Sequence, residues 1–212
     1  MSAAPNGLPE ALPTGERLLW QGRPDWRALA RHSFHVPKLA GYFALLVAWV
    51  AVSTVRSGGT PGDTALAVLR GVALSAVPLG LVVAYAWAVA RSTTYTITDR
   101  RLVMRVGIAL PITINLPFAR VAAADLKRRV GGSGDIAMTL DGTTPIPFLA
   151  LWPHARPWHL ARAEPMLRGL REVQPVAQLL TRALAASAAM AVPPVADHVP
   201  ARLPVPQAPI VA

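Results

Sequence analysis

The sequence predicts a membrane-anchored α+β protein: a two-helix transmembrane hairpin, then a cytoplasmic β-rich domain with a C-terminal helix. Three observations carry that expectation. Residues 39–55 and 71–90 hold no charged side chain. After Arg91 the apolar period drops from helical to two. Cations concentrate on the flanks that adjoin the two termini rather than between the apolar runs.

Composition agrees. Of 212 residues, 53% are hydrophobic and 15% charged, against about 25% charged in a soluble domain. That is too apolar for an ordinary cytosolic enzyme and for wholesale disorder. The net charge of +10 favours an acidic partner, either nucleic acid or an anionic membrane face. The absence of cysteine excludes a disulfide framework, thiolate zinc sites and a cysteine nucleophile.

Taken in order, residues 1–35 form a cytoplasmic N-terminal segment, 36–56 the first transmembrane helix, 57–69 a periplasmic loop and 70–90 the second transmembrane helix. Twenty helical residues span about 30 Å, the thickness of a bilayer core. Pro37 suits a first helical turn. A buried soluble helix would show a polar face, and neither run has one. Arg23, Arg27, Arg31 and Lys38 precede the hairpin, Arg56 and Arg70 bound its loop, and Arg91, Arg100, Arg101 and Arg105 follow it. Four and four against two places both termini in the cytoplasm. Tyr42 and Trp87 then fall towards the cytoplasmic interface. Gly41, Ala44, Ala48, Gly71, Ser75 and Gly80 offer small surfaces for close helix packing.

Residues 91–172 form the cytoplasmic domain. Tyr95 and Ile97 alternate with threonines; Leu102, Met104 and Val106, then Ile112, Ile114 and Leu116, then Ile136, Met138 and Leu140 repeat the pattern. These are half-buried antiparallel strands. Asp99-Arg100, the glycine-rich residues 131–134 and Asp141-Gly142 read as turns. Pro145 and Pro147 confine residues 144–149 to an edge or strand end. A helix is expected over about 159–173, an extra alanine-rich helix over 173–190, and a disordered proline-rich tail over 191–212.

Catalytic patterns are missing. There is no GxSxG, HExxH or phosphate loop, and neither apolar run carries a His, Asp, Glu, Lys or Arg on which a pigment or a transport path would depend. The expectation is a non-enzyme with no cofactor, no metal site and no nucleic-acid partner. His32 and His35 stand three apart, but no acid accompanies them at ligand spacing, and interfacial polar residues are the simpler reading. Lys127, Arg128 and Arg129 are candidates for an anionic lipid or acidic protein surface, against a solvated strand end. Asp99 and Arg101 read first as structural. In residues 151–158, Trp152, His154, Arg156 and Trp158 lie between two prolines that stiffen the loop. Trp and Arg are the side chains enriched at interface hot spots, so these four are candidate partner contacts. The alternative is a loop whose tryptophans cap the domain.

The strings Tyr-Thr-Ile-Thr-Asp-Arg-Arg-Leu-Val from Tyr95, Gly107 and Gly134-Asp135-Ile136 resemble the bacterial pleckstrin-homology-like (PH-like) domain family. The resemblance implies a β-barrel or sandwich with a capping helix beside two membrane helices. It also implies that residues 16–22 can add a strand to the sheet. Residues 8–13, the Trp-Gln-Gly-Arg-Pro-Asp-Trp block from Trp20 to Trp26 and residues 151–158 are together similar to the photosynthetic-complex assembly proteins of purple phototrophic bacteria. That similarity adds Trp20 and Trp26 to the candidate contacts. It implies a homodimeric inner-membrane (or intracytoplasmic-membrane) factor whose partners are reaction-centre or core light-harvesting antenna subunits. The alternative is a membrane-anchored PH-like scaffold or anionic-lipid module without a photosynthetic role.

Overall fold

The computed structural model describes residues 12–129, 131–141, 146–159 and 162–191. The expected tail from 192 and residues 8–11 lie outside these. The first elements among the described residues are strand β1 (Leu18–Gly22), a short helix α1 (Trp26–Ala28) and a π-helical turn (Leu29–Ser33). Two long helices follow, α2 (Val36–Arg56) and α3 (Pro61–Ser92). Both are long and apolar enough to cross a membrane, and their most apolar windows contain no buried residue.

Helix α3 starts well before the expected residue 70. Thr60 and Asp63 form a reciprocal cap: the Asp63 amide donates to Thr60 Oγ1 at 3.2 Å, and the Thr60 amide to Asp63 Oδ2 at 2.9 Å. Pro61 occupies the first helical position, where its missing N–H costs nothing. The cap signal at 60–63 therefore overrides the expected loop. The helices pack antiparallel with Val47 against Gly71, where an added Cβ would stand 3.0 Å from Val47 Cγ2. Phe34 meets Tyr85 edge-on with ring centroids 5.4 Å apart. In this register the last turns of α3 run past the start of α2. There Ala86, Val89 and Ala90 are buried by Leu29 and Ala30 of the N-terminal segment.

Only Thr93 separates α3 from β2 (Thr94–Thr98). An antiparallel sheet β1-β2-β3-β4 follows, with β3 (Arg101–Val106) and β4 (Ile112–Pro117). After a 3-10 turn, β5 (Val121–Arg128), β6 (Gly134–Leu140) and β7 (Met166–Leu170) make a second antiparallel sheet. The core lies between the sheets and includes Tyr95, Ile97, Leu102, Met104, Ile136, Met138 and Leu167. Helix α5 (Val173–Ala191) closes it with Val173, Val176, Leu180 and Ala183, a helical stripe on one face.

Three local expectations fail. The helix expected over 159–173 is absent: Met166–Leu170 is strand β7. Pro165 disfavours helix at the preceding residue, and Gly169 adopts φ +66, outside the helical region. Helix α5 belongs to the domain core rather than forming an extra element, because four of its side chains complete that core. Residues 148–151 are a single helical turn, α4 (Phe148–Leu151), after Pro147, not a strand end.

Candidate functional site

The candidate site grows from the point where α3 leaves its apolar stretch. The imidazole of His154 is fully buried there. The Arg168 amide donates to the Tyr95 hydroxyl at 3.1 Å, and that hydroxyl shares a further hydrogen bond with His154 Nδ1 at 2.7 Å. His154 Nε2 shares another with Thr93 Oγ1 at 3.0 Å, so that one ring nitrogen donates and the other accepts. Burial, reinforced by the Arg168 charge, pushes the His154 pKa down to about 3. Burial likewise raises that of the Tyr95 hydroxyl. The result is a neutral, fully satisfied polar network inside the domain. Arg168 is itself anchored, its guanidinium donating to the Ala155 carbonyl at 2.8 Å.

This network fixes the loop 151–158. Trp152 stacks on Tyr85 of α3, centroids 5.7 Å apart. Arg156 bonds Glu164 at 2.8 Å and Asp125 on β5 at 3.0 Å; these partners, Glu164 first, raise its pKa. Trp158 is 94% exposed and sits at φ +67, a backbone state that costs an L-residue about 1–2 kcal/mol. The four candidates therefore divide. His154 is a buried tie, Arg156 an ion-paired brace, Trp152 half-exposed against the helix, and Trp158 wholly presented.

Trp20 and Trp26 are half-buried. Trp20 packs on the main core and folds over Gly22, where its indole leaves no room for a Cβ. Trp26 joins the cluster at the end of α3, with the Arg27 guanidinium 5.3 Å from its ring centroid. Lys127 and Arg128 are exposed on β5. Arg129 instead pairs with Asp135, a buried carboxylate that also accepts the Gly169 amide at 2.9 Å. His35 is exposed ahead of α2. His32 is half-buried, and burial together with the Arg129 and Arg31 charges lowers its pKa.

Several positions have more weight here than their sequence context suggests. Tyr95 and Thr93 look like ordinary strand residues, because partners 59 and 61 positions away leave no local trace. Asp135 had a signal: it is the one acid within an otherwise uncharged strand, and a buried acid needs a partner. Glu16 and Arg101 form a two-pronged ion pair at 2.7 Å that pins β1 beside β2 and β3.

The bacterial PH domain family model matches residues 38–184, covering nearly all of α2, then α3 and strands β2 to β7, with β1 outside the match. A protein of Rhodobacter capsulatus described as an uncharacterized 23.7 kDa protein in the puhA 5' region is 35% identical over 178 residues. The alignment covers 84% of this chain and 83% of that protein. No solved structure matches the chain. A family match across most of the chain, with the paired sheets and capping helix seen here, establishes that it belongs to the bacterial PH domain family.

Proposed function

We propose that this chain is a membrane-anchored, non-enzymatic assembly factor that holds a partner subunit through the loop 151–158 and its helical hairpin. The observation that carries the reading is Trp158. A large apolar side chain is almost entirely exposed, on a backbone state it disfavours, beside a loop stiffened by buried bonds. Strain of this kind collects where a surface is kept for contact, and tryptophan is enriched among interface hot spots. Helices α2 and α3 act as the anchor, with both termini on the cytoplasmic side and a second copy of the chain as a further partner.

The class of partner is inferred from likeness. The Rhodobacter capsulatus relative is described by its place in the puhA 5' region, and the tryptophan blocks resemble PuhB-type photosynthetic assembly proteins. The proposed partners are accordingly reaction-centre or core-antenna subunits. The test is the near-infrared absorption of membranes from a deletion strain complemented with wild-type or Trp158→Ala chain. Reaction-centre and core-antenna bands should fall in the deletion, return with wild type and return only in part with Trp158→Ala. Normal bands in the deletion defeat the photosynthetic reading. In that case the anchored PH-like scaffold remains, with Lys127 and Arg128 exposed for an anionic surface.

A further inference from the structure

We infer that the β3–β4 turn is a lipid-inserting wedge that gives the domain a second hold on the membrane beside α3. The inference rests on the membrane-anchored reading of α2 and α3. The turn spans residues 107–111, and the exposed run continues into β4: Ile108, Ala109, Leu110, Pro111 and Ile112 are all exposed, with Leu110 at 81%. Five consecutive exposed residues without a charge are unfavourable in water unless something covers them.

The strand register says what covers them. Thr94 pairs with Arg105, and Val106 with Ile112. Since Thr94 follows α3 by two residues, the turn projects from the same end of the sheet at which α3 enters it. The opposite turn, at Asp99 and Arg100, lies a five-residue strand away, about 17 Å. The loop 151–158 meets α3 at the same end: His154 bonds Thr93, and Trp152 stacks on Tyr85. The last turn of α3 carries Arg91 with its guanidinium 4.9 Å from the centroid of Trp87, the aromatic-and-cation pair typical of a membrane interface. Arg105 stands one residue from the wedge. An apolar tip with cations behind it matches an anionic leaflet: acyl chains take the leucine and isoleucines, and phosphates meet the arginines.

The turn's shape is built in rather than adopted. Gly107 has φ +112, and a Cβ there would collide with the Leu110 carbonyl. The tight bend throws residues 108–110 outward.

The chain has no cysteine, so single cysteines report cleanly. Leu110→Cys, Leu74→Cys on α3 and Arg100→Cys at the far turn are each labelled with an environment-sensitive fluorophore in the full-length protein. Each is reconstituted into vesicles of phosphatidylcholine with phosphatidylglycerol. The label at 110 should emit to the blue of the label at 100. A spin label near the headgroup end of the acyl chain should quench it more than one near the methyl end. A water-like label at 110 beside a lipid-buried label at 74 overturns the wedge and leaves the anchor standing. Water-like emission at both overturns the anchor as well. Blue emission at 110 that no lipid spin label quenches means protein covers the tip, and it also overturns the wedge.

Discussion

His154 Nε2 lies 3.0 Å from Thr93 Oγ1, so the loop that presents Trp158 is tied to the residue through which α3 becomes a strand. The imidazole is neutral, with its pKa pushed down to about 3 by burial and the Arg168 charge. The unfolded chain, near 6.5, binds the proton more readily. Stability from this group is therefore fully present above about pH 6.5. It falls by about 1.4 kcal/mol per unit as the pH drops towards 3. His154→Phe should lose about 2 kcal/mol at neutral pH, because Thr93 and Tyr95 lose their partner. Its melting temperature should then fall less steeply between neutral pH and about pH 4.5. Parallel slopes for wild type and variant would show that His154 does not carry the acid sensitivity.

Glu16, 3% exposed, reaches Arg101 through both carboxylate oxygens. Burial raises its pKa, but the hydrogen bonds of Arg101 and Thr98 and the Arg101 charge bring the net shift below the ordinary value. Its contribution is present above about pH 4.5 and is lost as the pH falls through the lowered value. Arg101→Met leaves a buried carboxylate unpaired and should cost about 3 kcal/mol; Glu16→Gln should cost less, since no bare charge remains. Hydrogen exchange of the Leu18–Gly22 amides should accelerate in both, more so in Arg101→Met. Unchanged exchange would mean that backbone pairing alone holds β1.

The three cations 127–129 differ in role although they are adjacent. Arg129 neutralises the buried Asp135, whereas Lys127 and Arg128 face solvent. Arg129→Ala should lower stability by about 2–3 kcal/mol. The Lys127→Ala, Arg128→Ala double variant should stay within about 0.5 kcal/mol of wild type. Thermal melts of the two proteins separate these outcomes, and equal losses would contradict the assignment.

The reason the sequence distinguished some features and not others follows from range. The two long helices were legible as runs without a charge, and the strands around Ile97, Met104, Ile114 and Met138 because apolar residues recur there at a spacing of two. The same logic misread 159–173. There the apolar residues suit a helix, but Pro165 and the left-handed Gly169 decide for a strand. His154 read as a surface candidate because its partners, Thr93 and Tyr95, are about 60 residues away. Trp158, by contrast, is as exposed as a contact residue needs to be, yet only the backbone shows that it is held against its preference.

Helix register sets a further constraint on the anchored reading. Val47 packs against Gly71 across the antiparallel pair, and Ala40, Ala44, Ala51, Val68, Ser75 and Leu79 line one groove between the helices. Lys38 is thus level with about residue 80, and Arg70 with about residue 48. The two cations are about 15 Å apart along the axis, roughly half a bilayer core. Each must extend its long chain to opposite surfaces. Arg70→Lys should insert normally. Arg70→Asp, whose side chain is too short to reach the interface, should insert less well, with a penalty of up to about 3 kcal/mol. Alkaline extraction of membranes reads the difference, and full retention of Arg70→Asp would mean that residue 70 lies outside the apolar slab.

Trp158→Gly separates folding from contact. The φ of +67 costs tryptophan about 1–2 kcal/mol. Glycine adopts it freely but loses about 0.5–1 kcal/mol through its freer unfolded chain. At 94% exposure the indole contributes little burial to offset the strain. The variant should therefore be as stable as wild type, or more stable by up to about 1.5 kcal/mol. If the ring is kept for a partner, the same variant should restore less of the near-infrared bands than wild type at equal protein level. A stable variant with full restoration would remove Trp158 from the contact surface. A marked loss of stability would show that the ring is held by the fold rather than kept for a partner.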